Sequence, residues 1–489
     1  MLIIADILFF SDFTEYFTKK NFLLSNRTLL AVSIGIYVLL SFLLKMKKQA
    51  EYSYKQIVLS LSLASLILFI FQLILISNMY FYPGWDAGGI RNAVFEISNG
   101  TYNIWYQYSR FPSQINITAL MVGIVKLSNL LGIDGYFGTL FVSALFVNLA
   151  GVFTFLCTYH ITKSTKISIF SWVVFTLWVG LSPWISIPYT DTYSILFPIL
   201  AFYLYVSRKS EEKSGIRWFL IGLLCIYGST IKQTVIIVLV AIIIVELLNA
   251  LAQKDKKIWI NLIFSFAMIL LSVVPVLIIK SYSKDVIGIE LNDEEDFSVY
   301  HLAMMGLNEE TNGVFSQDDV DFSASFMTVE ERNSKNLEVI QQRLNDYGFF
   351  GYLKFLAKKT LVIFSDGSFA WGVEGNFYQI IPERTNRFAL FLQDVYYNVG
   401  THNQLFMTLE QILWFVVLLL LPLMSMMKQK PDGNEVTLML IVLGFVFGIL
   451  LFEARARYVY HFSTFFVLGA SIGLGKVTEK LTSKMSSQS

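Results

Sequence analysis

Charge is what this chain has least of. Only 15% of its 489 residues are Asp, Glu, Lys or Arg, against 55% hydrophobic and 16% aromatic residues, and the mean hydropathy is +0.58. That excludes a soluble surface; the chain has to place its apolar residues in lipid. Lysine plus arginine (37) almost balance aspartate plus glutamate (36), so no basic excess is available to hold nucleic acid. Cysteine is nearly absent. Cys157 and Cys225 each lie inside an apolar run and read as small packed hydrophobes rather than a disulfide or a metal site. The four histidines, His160, His301, His402 and His461, lack metal-ligand spacing and read as structural or exposed. The opening run MLIIADILFF carries Asp6 and no small-residue cleavage site, so it is expected to stay on the chain. No internal repeat or low-complexity tract is visible.

What is present is a series of long apolar runs. They are too long and continuous for barrel strands, and in hydrocarbon every backbone polar group must be paired, which makes them helices. The fold class is therefore an all-α polytopic membrane protein with about 11 spans, near 28–45, 56–80, 137–160, 167–186, 192–208, 216–231, 233–252, 259–281, 406–427, 434–452 and 459–475. Basic residues collect in alternate connections: Lys45, Lys47, Lys48 and Lys55; Lys163 and Lys166; Arg208, Lys209, Lys213 and Arg217; Lys254, Lys256 and Lys257; Lys428 and Lys430; and the tail with Lys476, Lys480 and Lys484. Positive charge stays on the cytoplasmic side, which sends 81–136, 187–191, the region near 232, 282–405 and 453–458 outward. This alternation closes only if 112–131, apolar enough to span, lies at the outer interface as a juxtamembrane helix. The side of the N-terminus stays open, because Lys19, Lys20 and Arg27 pull inward while the 45–48 cluster demands the opposite.

Three parts result: an N-terminal membrane module, 1–281, containing the first outer loop, 81–136; an α-rich outer region, 282–405; and a C-terminal module, 406–489. In the outer region, Thr328 followed by Glu331 predicts a capped helix over 329–345. A second stretch, 349–364, with Lys354, Lys358 and Lys359 on an apolar sequence, predicts an interfacial helix.

The first outer loop reads FYPGWDAGG. Pro83, Gly84, Gly88 and Gly89 end the span and turn the backbone, leaving Asp86 beside Trp85 just outside the bilayer. A carboxylate in that position suits a base acting on an acceptor hydroxyl; a solvated loop acid is the plainer alternative for Asp86 taken alone. A second acid, Asp191 in SIPYTDTYS, is forced to similar depth by a very short connection, where Thr190 or Asp191 can also cap the next helix. Outer cations are scarce, and each needs a reason to be there. Arg91 and Arg110 lie in the first loop, Lys232 in GSTIKQT, and Arg455 and Arg457 in FEARARYVYH. A lipid phosphate is one such reason, since guanidinium and ammonium groups hold phosphate oxygens strongly at a low-dielectric interface. Pairing with Glu453, loop acids or head groups is the other, and it is the reading for Arg91, which shares a helix with Glu96. One base and several cations fit displacement at a sugar phosphate, whose leaving group is already an anion; a glycosidase needs a second carboxyl to protonate its leaving group.

In these residues the chain resembles the GT-C superfamily of membrane glycosyltransferases, particularly its protein mannosyltransferase and aminoarabinose transferase branch. The resemblance is carried by Asp86, by the Tyr108–Ser109–Arg110–Phe111–Pro112 run, by Asp191 in PYTDT, by Ile231 to Thr234, and by the E-x-R-x-R-Y element from Glu453 to Tyr458. PYTDT also resembles the acidic motif of the mannosyltransferases of glycolipid anchor synthesis, and the whole is similar to integral-membrane glycosyltransferases of low-GC Gram-positive bacteria. The layout extends over nearly the whole chain, and the motifs over about 80–235 and 450–460. The resemblance implies an inverting transferase in the cytoplasmic membrane, with its active site facing outside. It would move a sugar from a polyprenyl-phosphate donor to a cell-envelope glycan, glycolipid or protein. Asp86 would be catalytic base or acceptor orienter, with Asp191 assisting; Tyr108, Arg110, Lys232, Glu453, Arg455, Arg457 and Tyr458 would bind substrate. Ala87 stands where many members carry a second acid, so no cofactor is certain, a divalent cation being the one candidate. Three rivals remain open: a non-catalytic envelope protein that uses the 282–405 loop to bind a partner, a polysaccharide polymerase or ligase using an oligosaccharide-lipid donor, and a lipid-linked saccharide transporter or flippase. The last would place ionisable groups near the midplane, where Glu246 is the only acid evident.

Overall fold

The computed structural model describes residues 1–10, 22–46, 53–101, 107–208, 214–288, 290–374, 378–426 and 431–486. Lys19, Lys20, Lys47, Lys48, Lys209, Lys213, Lys428 and Lys430 lie outside the described residues, as do the side chains of Lys45 and Lys484. The protein is a multi-pass helical membrane protein. Among the described residues, seven helices are long and apolar enough to cross a membrane: 26–43, 54–79, 135–162, 233–253, 256–287, 403–425 and 433–451. The remaining predicted spans coincide with the shorter apolar helices 165–180, 190–206 and 215–231 and with Ser463–Ser486.

The run predicted to span 167–186 is broken. Its α-helix stops at Phe175 and widens into a π-turn, Thr176–Gly180, before a 3-10 turn, Pro183–Ser186. Pro183 cannot continue a helix, and a carbonyl released by the widening, that of Gly180, accepts from Gln72 Nε2 at 2.7 Å. The break turns two indoles onto one loop: Trp178 Nε1 donates to Gly367 O (2.7 Å) and Trp184 Nε1 to Ser368 O (3.1 Å). The predicted 112–131 helix forms as Gln114–Leu130. Its first residues, 114–118, are all buried, while Leu127, Leu130 and Leu131 near its end are exposed.

The two predicted helices, 329–345 and 349–364, form end to end within Val329–Phe364 and are separated by a kink at Gly348 (φ 57°, ψ −177°), a conformation open chiefly to glycine. Thr328 accepts from the Glu331 amide at its start, as expected. Lys359 departs from the interfacial expectation. It is fully buried, and its ammonium donates to Gly306 O (2.5 Å) and Phe452 O (2.6 Å); Phe355, about one turn earlier on the same face, is buried with it. Ala454 N also donates to Gly313 O (2.7 Å). The outer region is thereby stitched to the start of the 453–458 segment. A two-strand ladder adds another tie, Tyr82–Pro83 running antiparallel to Tyr378–Ile380. It pins the approach to Asp86 against the stretch that follows Glu374.

Candidate functional site

The ladder and the Gly306–Phe452 seam close a cavity of about 350 Å³ between the first outer loop, the outer region and the 453–458 segment. Asp86, Arg110, Lys232, Glu453, Arg455, Arg457 and Tyr458 all line it, although they come from opposite ends of the chain.

Asp86 sits in the first turn of Trp85–Ser98, whose N-cap is Gly84. Freed amides there favour a negative charge. Gln107 Nε2 donates to its Oδ1 (2.8 Å), and the Tyr189 hydroxyl donates to its Oδ2 (3.3 Å). Across Tyr189, whose ring lies 5.2 Å from the Arg457 guanidinium, is the ionic cluster. Arg455 Nε pairs with Glu453 Oε1 at 2.9 Å, and Tyr458 donates to Glu453 Oε2 at 3.0 Å. Arg457 Nε lies 3.4 Å from Glu374 Oε2, and Arg455 lies 3.8 Å from Glu374 Oε1. Burial pushes the Glu453 carboxyl up, but Arg455, with its hydrogen bond, and Arg457 outweigh it and hold the group below the usual range. Glu374 goes the other way: burial dominates the pull of Arg455 and Arg457 and raises it.

Asp191 is not among the lining residues. Nor does it cap its helix; it lies inside the first turn of Thr190–Ser194, and the Thr192 hydroxyl accepts from Tyr189 N instead. The reason is Lys232, which its carboxylate meets at 2.6 Å, with Arg457 at 4.0 Å and His461 at 3.8 Å. The Lys232 ammonium also lies 3.9 Å from the Tyr458 ring centroid. Tyr108 is likewise behind the wall, donating to Thr118 Oγ1 (2.8 Å). Arg91 stacks on Tyr82 at 3.9 Å and Tyr136 at 5.4 Å, away from the cavity.

The sequence reading missed several groups. Glu374, Gln107, Tyr189 and His301 line the cavity; His461, four residues after Arg457, supports Asp191 from behind and pairs with Thr234 Oγ1 at 2.6 Å. Only that four-residue spacing could have flagged His461, and nothing local marks Glu374. Glu246 is also not the only acid within a span. Glu410 is buried in Asn403–Leu420, whereas Glu246 pairs with Arg208 at 2.6 Å. Among the described residues no three His, Cys, Asp or Glu side chains form a group able to hold a metal ion.

Fold and site together define a polytopic helical membrane protein with a buried polar cavity between its helices and the helical region 282–405. Over residues 3–477 the chain matches the model of the family described as conserved hypothetical integral membrane protein, and it belongs to that family. No curated protein matches it. Among solved structures it is similar to the archaeal oligosaccharyltransferase AglB from Archaeoglobus fulgidus, in complex with an inhibitory peptide and a dolichol-phosphate. That match has 12% identity and a TM-score of 0.39, covering 86% of this chain and 51% of that one, so the chain spans about half the length of that protein. It is also similar to ArnT from Cupriavidus metallidurans bound to undecaprenyl phosphate, at 10% identity and a TM-score of 0.33, covering 87% of this chain and 78% of that one. The chemistry of the site follows from its own residues.

Proposed function

We propose that the protein is an inverting membrane glycosyltransferase that moves a sugar from a polyprenyl-phosphate donor to an acceptor hydroxyl on the outer face of the cytoplasmic membrane. The observation that carries this reading is the meeting, in one cavity, of a single carboxylate held by neutral donors with a separate cluster of Lys232, Arg455 and Arg457. Asp86 takes the acceptor proton as the acceptor oxygen attacks the anomeric carbon. The anomeric C–O bond to phosphate breaks, and the polyprenyl phosphate leaves with the electron pair. Its new charge is received by the cations, so they bind the departing phosphate more strongly than the donor diester, and that difference lowers the barrier. Glu374 and Glu453 keep the guanidinium groups in place before the phosphate arrives. Asp191, behind the wall, positions Lys232 and Arg457 and does not touch substrate. The outward orientation rests on the distribution of basic loops.

The test is sugar transfer by the purified protein in lipid nanodiscs, with radiolabelled undecaprenyl-phosphate sugars and cell-envelope acceptors. Asp86→Asn keeps the shape and can still accept from Gln107. We expect it to bind donor normally and to transfer about 10²- to 10⁴-fold more slowly, the span of a general base. Unchanged transfer removes Asp86 as base; failure of wild-type protein to bind any donor overturns the transferase reading.

A further inference from the structure

One wall of the cavity takes no part in the chemistry above, and its character differs from the ionic cluster. It carries Trp85, Phe111, Gln114, Phe297, His301 and Phe315. His301 is fully buried. Its Nδ1 lies 2.8 Å from Ser323 Oγ, and Ser323 in turn donates to Asn336 Oδ1 at 3.1 Å. With its own proton committed to Asn336, the Ser323 oxygen accepts from Nδ1–H, which leaves a lone pair on Nε2. That nitrogen has no hydrogen-bond partner among the described residues. The same is true of Gln114 Oε1, on a side chain only 7% exposed. Two buried acceptors without donors are costly and call for a ligand that supplies O–H groups. Burial, the main cause, holds the His301 imidazole down to about 4, so His301 is neutral at neutral pH; the charge bordering this wall is the Arg110 guanidinium, 5.2 Å from the Phe297 ring centroid.

Beside them stands an outward-turned aromatic. Trp85, immediately before the candidate base, has a left-handed backbone (φ 55°), which bulky L residues adopt only at a cost. Its indole is 58% exposed, edge-on to Phe315 with centroids 6.5 Å apart. A flat apolar face next to hydrogen-bond acceptors fits a ring with C–H groups on its face and hydroxyls around its edge.

We propose that this wall is a subsite for an uncharged polyhydroxylated ring, a sugar unit that stacks on Trp85 and donates hydroxyl protons to His301 Nε2 and Gln114 Oε1. This deepens the transferase reading and rests on it for placing the ring beside Asp86. The ring can belong to a saccharide acceptor or to the sugar head of the donor, which share this chemistry.

The experiment is saturation-transfer NMR of the full chain in nanodiscs with methyl α-D-mannopyranoside, methyl β-D-glucopyranoside and methyl N-acetyl-β-D-glucosaminide. It compares wild type with Trp85→Ala and Gln114→Leu; neither change disturbs the Ser323–Asn336 support, and a melting curve checks the fold of each. We expect at least one glycoside to bind and its affinity to fall tenfold or more in both variants. Binding of none, or equal binding in wild type and folded variants, overturns the subsite. So does an effect of Trp85→Ala confined to quenching by spin-labelled phospholipid, which makes the indole a membrane anchor. In steady-state transfer, a raised acceptor KM in Trp85→Ala assigns the ring to the acceptor, and a raised donor KM assigns it to the donor. Glycoside binding without any transfer keeps the subsite and removes the transferase; transfer to a peptide or lipid with no glycoside binding does the reverse.

Discussion

Lys232→Met probes the joint between the two halves of the site. Lys232 follows the helix Gly215–Ile231, and its ammonium meets Asp191 at 2.6 Å with side chains 14% and 2% exposed. At an effective dielectric of about 20, a pair at that distance attracts by about 6 kcal/mol, and Arg457 at 4.0 Å contributes about 4 kcal/mol more to the same carboxylate. Methionine replaces the lysine stem but strands the Asp191 charge on Arg457 alone. Removing one partner of a buried pair costs about 3–5 kcal/mol; the surviving guanidinium puts this case near 3 kcal/mol. Asp191→Asn leaves Lys232 its contact with the Tyr458 ring, and Lys232→Met/Asp191→Asn removes both charges, so the double variant should recover about 2 kcal/mol relative to the sum of the singles. Reversible unfolding in mixed micelles, run as a double-mutant cycle, measures this. A Lys232→Met variant within about 0.5 kcal/mol of wild type, with additive behaviour in the double, refutes the reasoning. Donor binding supplies a second readout: Lys232→Met should weaken it by removing a cation, and Asp191→Asn, which keeps both cations but loosens their positions, should weaken it less.

Two further outcomes follow from the outer region. A methyl group on Gly306 would meet Phe452 backbone atoms at 2.5 to 2.9 Å; Gly306→Ala should destabilise by about 1–3 kcal/mol, and should slow transfer because the seam that carries Glu453 and Arg455 moves, with unaltered melting and kinetics counting against it. His301 titrates near 6.5 when unfolded and at about 4 when folded, so between those values the unfolded chain holds more protons. Stability therefore falls as pH drops through that window, by about 3 kcal/mol in total. Melting at pH 7 and pH 5 should show about 2 kcal/mol of this loss in wild type and less of it in His301→Phe; identical pH dependence in the two sinks the assignment.

The helical membrane architecture was legible in the sequence because it depends on run length and hydropathy, which are local. The predicted spans coincide with helices for the same reason that lipid leaves no other backbone solution. Asp86, Lys232, Arg455 and Arg457 could be picked out individually, since a charge at the outer boundary of an apolar run is conspicuous on its own. What only the tertiary structure decided is which of these charges meet. Asp191 looks equivalent to Asp86 along the chain, yet it lies behind the wall with Lys232, while Asp86 faces the cavity between Gln107 and Tyr189. Glu374 and His301 carry no local mark, and the broken span at Thr176–Gly180 and the buried Lys359 contradict their surroundings in sequence. Each is set by contacts with residues far away along the chain: Gln72 for Gly180, Phe452 for Lys359, and Arg457 for Glu374. Periodicity and composition record the environment a segment needs, lipid or water. They do not record which distant carbonyl or carboxylate will satisfy a buried charge, because that partner is chosen by packing.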